Sequence, residues 1–200
     1  MRREWPDRPR HLGLLLVDGM LARDVALGNR VGVELLGPGD VLRPWVHLGE
    51  HTSISLEENF TVTEPATLAV LDAEFANAVT PWPAIGSALM DRLALRSRWI
   101  AFHLAVCHLR RVDTRILVVL WYFADRWGRV TREGVVLPVR LTHRMLGQIV
   151  GAQRASVSKA IGGLRRQRRV IRREDGTWLL RDGPPAELQT IHEQSVGQRN

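Results

Sequence analysis

The chain has 200 residues, of which 45% are hydrophobic and 24% charged, the composition of an ordinary soluble protein with one or two domains. Its formal net charge is +7 and its sequence pI is about 11.1, which points to a polyanionic partner. Cys107 is the only cysteine, which excludes an intrachain disulfide and a multi-cysteine zinc or iron–sulfur site.

Charge is unevenly distributed along the chain. Residues 44–91 carry seven acidic side chains and no Arg or Lys, whereas residues 92–200 carry 21 basic and 8 acidic side chains. No acidic residue lies between Arg140 and Arg173, and every basic residue except Lys159 is Arg. Such segregation favours two modules with different partners over a uniformly solvated surface.

A small antiparallel β module is predicted over residues 1–83, after a loose polar arm at 1–10. Turn signals are expected at Asp18-Gly19, Gly28-Asn29 and 37–40. No apolar run approaches the length of a membrane span, and Asp18 interrupts the first one too early for a signal peptide, so we expect a cytoplasmic protein with no membrane partner. The turn signals separate the predicted strands Leu12–Val17, Met20–Val25, Val31–Leu36 and Val41-Leu42, and Thr61–Leu71 is predicted to form one or two more strands.

The hydrophobic period changes to that of a helix after Pro81 and Pro83. A long helix is predicted from Ala84 to Arg110, and it must bury its apolar stripe against its own β module or against a second copy of the chain. Arg96 lies on this stripe, which argues against a strict coiled coil. The stripe consists of Ile85, Leu89, Leu93, Ile100, Leu104 and Cys107.

A second helix is predicted over Arg115–Trp127. We expect it to start with a cap in Val112-Asp113-Thr114 and to end at Gly128. A strand pair is predicted within Val130–Val139.

The segment Leu141–Leu180 has the pattern of a winged helix-turn-helix. A short helix capped by Thr142 leads to a turn at Gly151, where glycine permits a positive φ, and a second helix begins at Arg154 or Ala155. A basic hairpin follows, with its turn at residues 174–176. An ordinary helical hairpin with a basic face is the alternative. The residues expected to contact duplex DNA at base edges or phosphates are Thr142, Gln153, Arg154, Ala155, Ser156, Ser158, Lys159, Arg165, Arg166, Arg168, Arg169, Arg172 and Arg173.

The run Gly147–Gly151, followed by Arg154, Ser156-Val157 and Lys159, resembles the C-terminal domain of the Crp/Fnr superfamily of bacterial transcription regulators, and the resemblance extends over residues 112–180. It implies that Arg154 reads a guanine and that Lys159 reads a base or a phosphate. The family has an acid at the position of Ala155, so one base contact is missing or replaced. The resemblance also implies a homodimer on a palindromic site, with RNA polymerase as a partner.

The N-terminal half is similar to the family's cyclic-nucleotide-binding β-barrel in one turn, Gly37–Val41, and in the long helix, which matches the dimerisation helix. The opening strands of that barrel have no counterpart, which implies a shortened domain. Arg43-Pro44 stands where the Gly-Glu of the family's phosphate cassette would fall, and the following acidic segment supplies no Arg or Lys. Since desolvating an anion without a cation is costly, we expect no cyclic nucleotide and no other cofactor.

Metal binding and catalysis find little support. His47 and His51 could share a loop, and His103, Cys107 and His108 lie at helical spacing, but such residues are more often surface or core side chains, and we expect no metal or haem. The sequence contains no nucleophile–base pair and no phosphate loop, so no enzyme is expected. The histidines are His11, His47, His51, His103, His108, His143 and His192.

The predicted fold is therefore α+β: a degenerate β-barrel-like domain at 1–83, a dimerisation helix at 84–111, a winged helix-turn-helix at 112–183 and a polar tail at 184–200. The predicted function is a homodimeric, sequence-specific DNA-binding transcription regulator that does not depend on cyclic nucleotide. The alternative is a β module that captures a small molecule or a protein and uses non-specific DNA contact only for localisation.

Overall fold

The computed structural model of the chain describes residues 11–46 and 56–185. These fall into two compact units, Met1–Ala101 and Phe102–Asn200. The architecture is α+β with antiparallel sheets, as predicted. Within the described ranges, no helix is long and apolar enough to cross a membrane.

The first unit is built on a four-stranded antiparallel sheet. Its strands are β1 (Gly13–Leu27), β2 (Arg30–Leu36), β3 (Val41–Leu42) and β4 (Glu57–Leu71). β1 pairs with β4 along most of its length, with β2 through its second half and with β3 at Leu14 and Leu15. Because β2, β3 and β4 pair only with β1, the described strands form an open sheet and not the barrel-like closure that we predicted.

One predicted turn is wrong, and a β-bulge takes its place. The expected strands on either side of Asp18-Gly19 are a single strand, β1, with register shifts between Leu16 and Leu21. Gly19 has φ +82°, and a Cβ there would lie 2.0 Å from the carbonyl oxygen of Pro65. The Asp-Gly pair therefore supplies the positive φ of a bulge, which bends the strand without reversing it. The turn predicted at Gly28-Asn29 is confirmed, since Leu27 pairs with Arg30 across it.

Two helices follow the sheet. The short helix α1 (Ala73–Ala78) was not predicted; Asp72 caps it by accepting a hydrogen bond from the amide of Phe75 at 2.9 Å. The long helix α2 (Pro83–Cys107) ends three residues before the predicted limit. The core beneath the sheet consists of Leu14, Leu16, Leu21, Leu36 and Leu42.

Arg96 anchors α2 to the sheet of its own unit. Its Nε and Nη2 donate to the two oxygens of the buried Glu34 carboxylate on β2, at 2.8 and 2.9 Å. Burial works against the charged guanidinium, but Glu34, together with the charges of Asp40 and Glu58, outweighs it, and the pKa of Arg96 lies above its ordinary value. Arg92 also donates to the carbonyl of Gly39 at 2.9 Å. The arginine that interrupts the apolar stripe is thus an ion-pair partner of the sheet.

The second unit packs three helices on a small antiparallel sheet in the order β5-β6-β8-β7. Helix α3 begins at Val112, and Asp113 pairs with Arg111 instead of capping it as we predicted. The core of the second unit contains four fully buried side chains, those of Leu120, Phe123, Leu146 and Trp178. The elements are α3 (Val112–Trp127), β5 (Arg129–Thr131), β6 (Gly134–Leu137), α4 (His143–Val150), α5 (Arg154–Arg166), β7 (Val170–Arg172) and β8 (Trp178–Leu180).

Candidate nucleic-acid interface

Helices α4 and α5 are joined by a tight turn. The Thr142 hydroxyl caps α4 by accepting from the Met145 amide at 3.1 Å, as predicted. Gly151 ends the helix in the left-handed conformation, with φ 64° and ψ 41°. The chain then passes so close to Gly147 that a Cβ there would lie 2.6 Å from the carbonyl oxygen of Ala152. These two glycines therefore determine how closely α5 follows α4.

Helix α5 divides cleanly into a buried face and an exposed face. Val157, Ile161 and Leu164 are buried, at 0%, 8% and 4% exposure. Gln153 is the N-cap residue, without a side-chain capping hydrogen bond. The remaining residues predicted to read bases are all exposed: Arg154, Ala155, Ser156, Ser158 and Lys159. The helix therefore offers a polar, basic surface at its N-terminal end.

Side chains from the preceding helices hold the carbonyl end of α4. Arg115 of α3 donates from Nη1 to the carbonyl of Val150, the last residue of α4, at 3.2 Å, and from Nε to the carbonyl of Leu109, just after α2, at 2.6 Å. His103 Nε2 bonds the carbonyl of Ile149. These contacts satisfy carbonyl groups that a helix end leaves unpaired, and they position the turn before α5.

Cys107 and His103 lie side by side on the last turns of α2, with Sγ and Nε2 separated by 3.8 Å. Burial raises the pKa of the Cys107 thiol, and the charge of Arg115 opposes this only in part. A thiol with a raised pKa is a poor nucleophile and a poor metal ligand at neutral pH. The thiol is half-buried, in keeping with its place on the apolar stripe of the long helix.

The basic residues after Leu164 differ in exposure. Arg165 and Arg166, in the last turn of α5, and Arg168 beyond it are exposed, as are Arg172 and Arg173 in the hairpin. Arg169 is half-buried, and its Nη2 donates to the carbonyl of Gly183 at 3.2 Å. Arg169 is thus partly engaged in holding the end of the hairpin, while its neighbours face solvent.

Arg168 has an unusual backbone conformation. Its φ is +60°, in the left-handed region. The amide of Arg169 donates to the carbonyl of Leu164 at 3.0 Å, and that of Arg168 donates to Arg165 at 2.9 Å, which are the two hydrogen bonds of a Schellman motif. Glycine is the usual residue at this position, because a side chain is strained there.

The tip of the hairpin is acidic. It carries Glu174 and Asp175, and hydrogen bonds from the Thr177 hydroxyl (2.6 Å) and amide (2.9 Å) hold the pKa of Asp175 below its ordinary value. Arg140 underlies the turn, with its Cγ 3.4 Å from the Cβ position of Gly176. A charged Asp175 repels phosphate, so the cations useful to a polyanion lie on the strands beside the tip and not on it.

His143 was not among the predicted interface residues, although it belongs to this surface. It is the first residue of α4, and its Nδ1 lies 2.9 Å from the Ser158 hydroxyl on α5. Burial, followed by the charges of Arg172 and Arg154, lowers the pKa of His143. The ring therefore lies within the electrostatic reach of both the start of α5 and the hairpin. The basic context of Arg144 and Arg154 was the sequence signal that could have marked it.

Among the residues that the structure describes, no group of three or more His, Cys, Asp or Glu side chains could hold a metal ion. The loop pair that we considered, His47 and His51, lies outside the described residues.

Comparisons with known proteins identify the fold. No family model matches the chain. It is 25% identical over 151 residues to the regulatory protein CysR of Synechococcus elongatus, an alignment that covers 74% of this chain and 65% of CysR. The chain thus spans just under two thirds of the length of that relative.

Two solved structures extend the comparison to nearly the whole chain. A CRP/FNR-family transcriptional regulator of Thermus thermophilus superposes with a TM-score of 0.62 at 19% identity, over 96% of this chain and 89% of that chain. A cyclic nucleotide-binding domain containing protein of Listeria monocytogenes gives a TM-score of 0.72 at 17% identity, over 92% and 87%. The chain has the fold of the Crp/Fnr transcription regulators.

Proposed function

We propose that the chain is a sequence-specific DNA-binding transcription regulator that acts as a homodimer on a palindromic site without cyclic nucleotide. The observation that carries this proposal is the exposed face of α5. It presents Arg154, Ser158 and Lys159 to solvent, lies in a stretch free of acidic residues, and is followed by a hairpin with exposed arginines. A helix-turn-helix inserts the N-terminal end of its second helix into the major groove.

Base reading is assigned to the first two turns of α5. Arg154 is the first residue of the helix and is exposed, so it can donate two hydrogen bonds to a guanine. Lys159 lies on the same exposed face and reaches a base or a phosphate. Ala155 has no polar side-chain atom, so its neighbouring base pair is either weakly specified or recognised through the methyl group of a thymine.

Phosphate contacts are assigned to exposed cations around this face. Thr142, Gln153 and Ser156 contribute neutral donors at the two helix starts. We call these arginines the phosphate rim: Arg165, Arg166, Arg168, Arg172 and Arg173. Arg169 contributes less, because its guanidinium already donates to the carbonyl of Gly183.

The dimer is assigned to an apolar seam on α2 that is distinct from the face holding the sheet. Met90, Ile100 and Leu104 are 66%, 48% and 63% exposed. With Gly86, Leu93 and Ser97 they follow alternating steps of four and three residues, the spacing of a coiled-coil seam. Arg96 is turned toward Glu34 and so does not interrupt this seam.

Sedimentation of matched variants tests the dimer. Met90→Glu introduces charges that face each other across the seam, so we expect loss of about 3 kcal/mol or more, roughly a 100-fold weaker dimer. Leu95→Glu is the control, because Leu95 is exposed to a similar 61% but lies off the seam. Equal effects of the two variants, or a wild-type monomer at micromolar concentration, would contradict the assignment.

Independence from cyclic nucleotide is proposed from the charges of the first unit. Residues 44–91 contain no Arg or Lys that could pair with a cyclic phosphate. Two arginines of the first unit are already ion-paired: Arg23 pairs with Glu34 at 2.9 Å, and Arg96 pairs with the same carboxylate. Calorimetric titration with cyclic AMP and cyclic GMP should show no binding. Micromolar affinity for either nucleotide would overturn this part of the proposal.

Selection from a random duplex library tests sequence-specific binding directly. The full chain should enrich a palindromic motif with a guanine in each half-site. Arg154→Ala should weaken binding and relax that base pair, whereas Arg30→Ala, which removes an exposed charge from the first unit, should leave the motif unchanged. Enrichment of no motif, together with a steep salt dependence, would instead support non-specific DNA contact by a protein whose β module binds the specific ligand.

A further inference from the structure

A polar contact joins the start of α4 to the exposed face of α5 at the proposed DNA interface. His143 Nδ1 and Ser158 Oγ are 2.9 Å apart, and both groups are on the solvent side of the unit. Neither helix needs this contact to form, because Thr142 already caps α4 and the buried Val157 packs α5. An exposed hydrogen bond contributes little net stability. The contact therefore acts mainly on the Ser158 hydroxyl and not on stability.

The contact couples the direction of the hydroxyl hydrogen to whether Nδ1 carries a proton. A serine hydroxyl has one donor hydrogen and two acceptor lone pairs, and a neutral imidazole has one nitrogen of each kind. When Nδ1 is the acceptor, the Ser158 hydroxyl donates its hydrogen to the ring and presents only lone pairs to the groove. When the ring is protonated, Nδ1–H donates to Oγ, and the hydroxyl hydrogen becomes free to point outward.

We propose that His143, neutral as the tautomer with its hydrogen on Nε2, accepts the hydrogen bond of Ser158, so that the base pair facing Ser158 is read through an amino donor, and that protonation of Nδ1 reverses this polarity so that Ser158 reads an acceptor. This inference rests on the proposed DNA-binding function. The neutral state selects the amino group of cytosine or adenine, and the charged state selects guanine N7 or O6 or thymine O4.

Burial and the charges around the ring together set which state is occupied. Burial is the largest influence that lowers the pKa of His143, followed by the charges of Arg172 on the hairpin and Arg154 on α5. The ring is therefore neutral in the free protein at neutral pH. Duplex phosphates that pair with these two arginines reduce their effect on the ring, so protonation becomes easier in the complex.

The test compares sequences selected by the full chain from a random duplex library at pH 8.0 and at pH 5.5. Wild type should prefer cytosine or adenine at one position of each half-site at pH 8.0 and guanine or thymine there at pH 5.5. A single hydrogen bond predicts a change in relative affinity of roughly 2- to 10-fold per half-site. The guanine assigned to Arg154 is the internal control, because arginine does not titrate in this range and its preference should persist at both pH values.

Two variants separate the proposed role from a structural one. His143→Asn keeps a polar group near Ser158 but does not titrate, so it should select the same base at both pH values. Ser158→Ala should lose the preference at that position while keeping the rest of the motif. Thermal unfolding of both variants checks that they fold, and either one alone is sufficient for the test.

Three results would overturn the proposal. The first is a wild-type preference that is identical at both pH values. The second is a pH-dependent preference that persists in His143→Asn or in Ser158→Ala. The third is the absence of any enriched motif, which would remove the proposed function as well; a motif that is enriched but insensitive to His143 removes this inference alone.

Discussion

Replacing Arg168 by glycine should stabilise the protein and weaken its binding to DNA at the same time. Arg168 occupies the left-handed position of a Schellman motif with φ +60°. A side chain in this conformation destabilises the folded state by roughly 1–2 kcal/mol, and glycine removes that strain. Glycine also makes the unfolded chain more flexible, which offsets about 0.5–1 kcal/mol of the gain. The net gain is about 0.5–1 kcal/mol, or a Tm higher by roughly 2–8 °C for a unit of this size.

The same substitution removes an exposed charge from the proposed phosphate rim. Each lost phosphate contact should reduce the slope of log K against log salt by about 0.9, and thus by about 1.8 for a dimer, without changing the preferred sequence. Calorimetry and fluorescence anisotropy over a salt series measure the two effects. Arg168→Lys should keep both the strain and the charge, and Arg168→Ala should keep the strain but lose the charge. If Arg168→Gly is no more stable than Arg168→Ala, the strain argument fails, and an unchanged salt slope refutes the phosphate contact.

Three further predictions follow from the second unit. Arg154→Ala should cost roughly 1–3 kcal/mol per half-site and relax one base pair, as measured on single-base variants of the selected duplex; an equal loss on every variant would make Arg154 a phosphate contact. Gly147→Ala should lower the free energy of unfolding by about 1–3 kcal/mol in denaturant titration, because its Cβ would lie 2.6 Å from the Ala152 carbonyl, whereas Gly163→Ala meets no atom within 4 Å and should not destabilise. The free energy of unfolding should fall as the pH drops below about 6.5, because the lowered pKa of His143 lets the unfolded chain bind the proton first; this part of the pH dependence should be absent from His143→Asn.

Local patterns predicted the second unit well. Thr142, Gly151 and the start of α5 at Arg154 are determined by interactions within a few residues, and the sequence displays them directly. The bulge at Gly19 could not be read in the same way. Asp-Gly favours a hairpin turn locally, and only the pairing with β4 next to Pro65 shows that the chain continues as one bent strand. The partner strand is distant in the sequence, so no local signal reports it.

At the proposed interface too, local patterns predicted some features, and contacts between distant segments determined the others. Exposure of Arg154, Ser158 and Lys159 follows from helical periodicity around Val157 and Ile161, and was predictable. The contact between His143 and Ser158 depends on how closely α4 and α5 approach, which the sequence does not specify. Arg115 and Arg169 are likewise arginines, the residue type expected to contact DNA, yet their guanidinium groups donate to backbone carbonyls. Those carbonyls belong to segments distant in the sequence, so these contacts depend on the fold.

Footprinting of the full chain on its selected duplex, with the stoichiometry measured in the same complex, tests the central claim most directly. We predict two protected half-sites, about 10 base pairs or roughly 34 Å apart from centre to centre, with two chains per duplex. A single protected half-site with one chain bound, or uniform protection along the duplex, would contradict a dimeric, sequence-specific regulator.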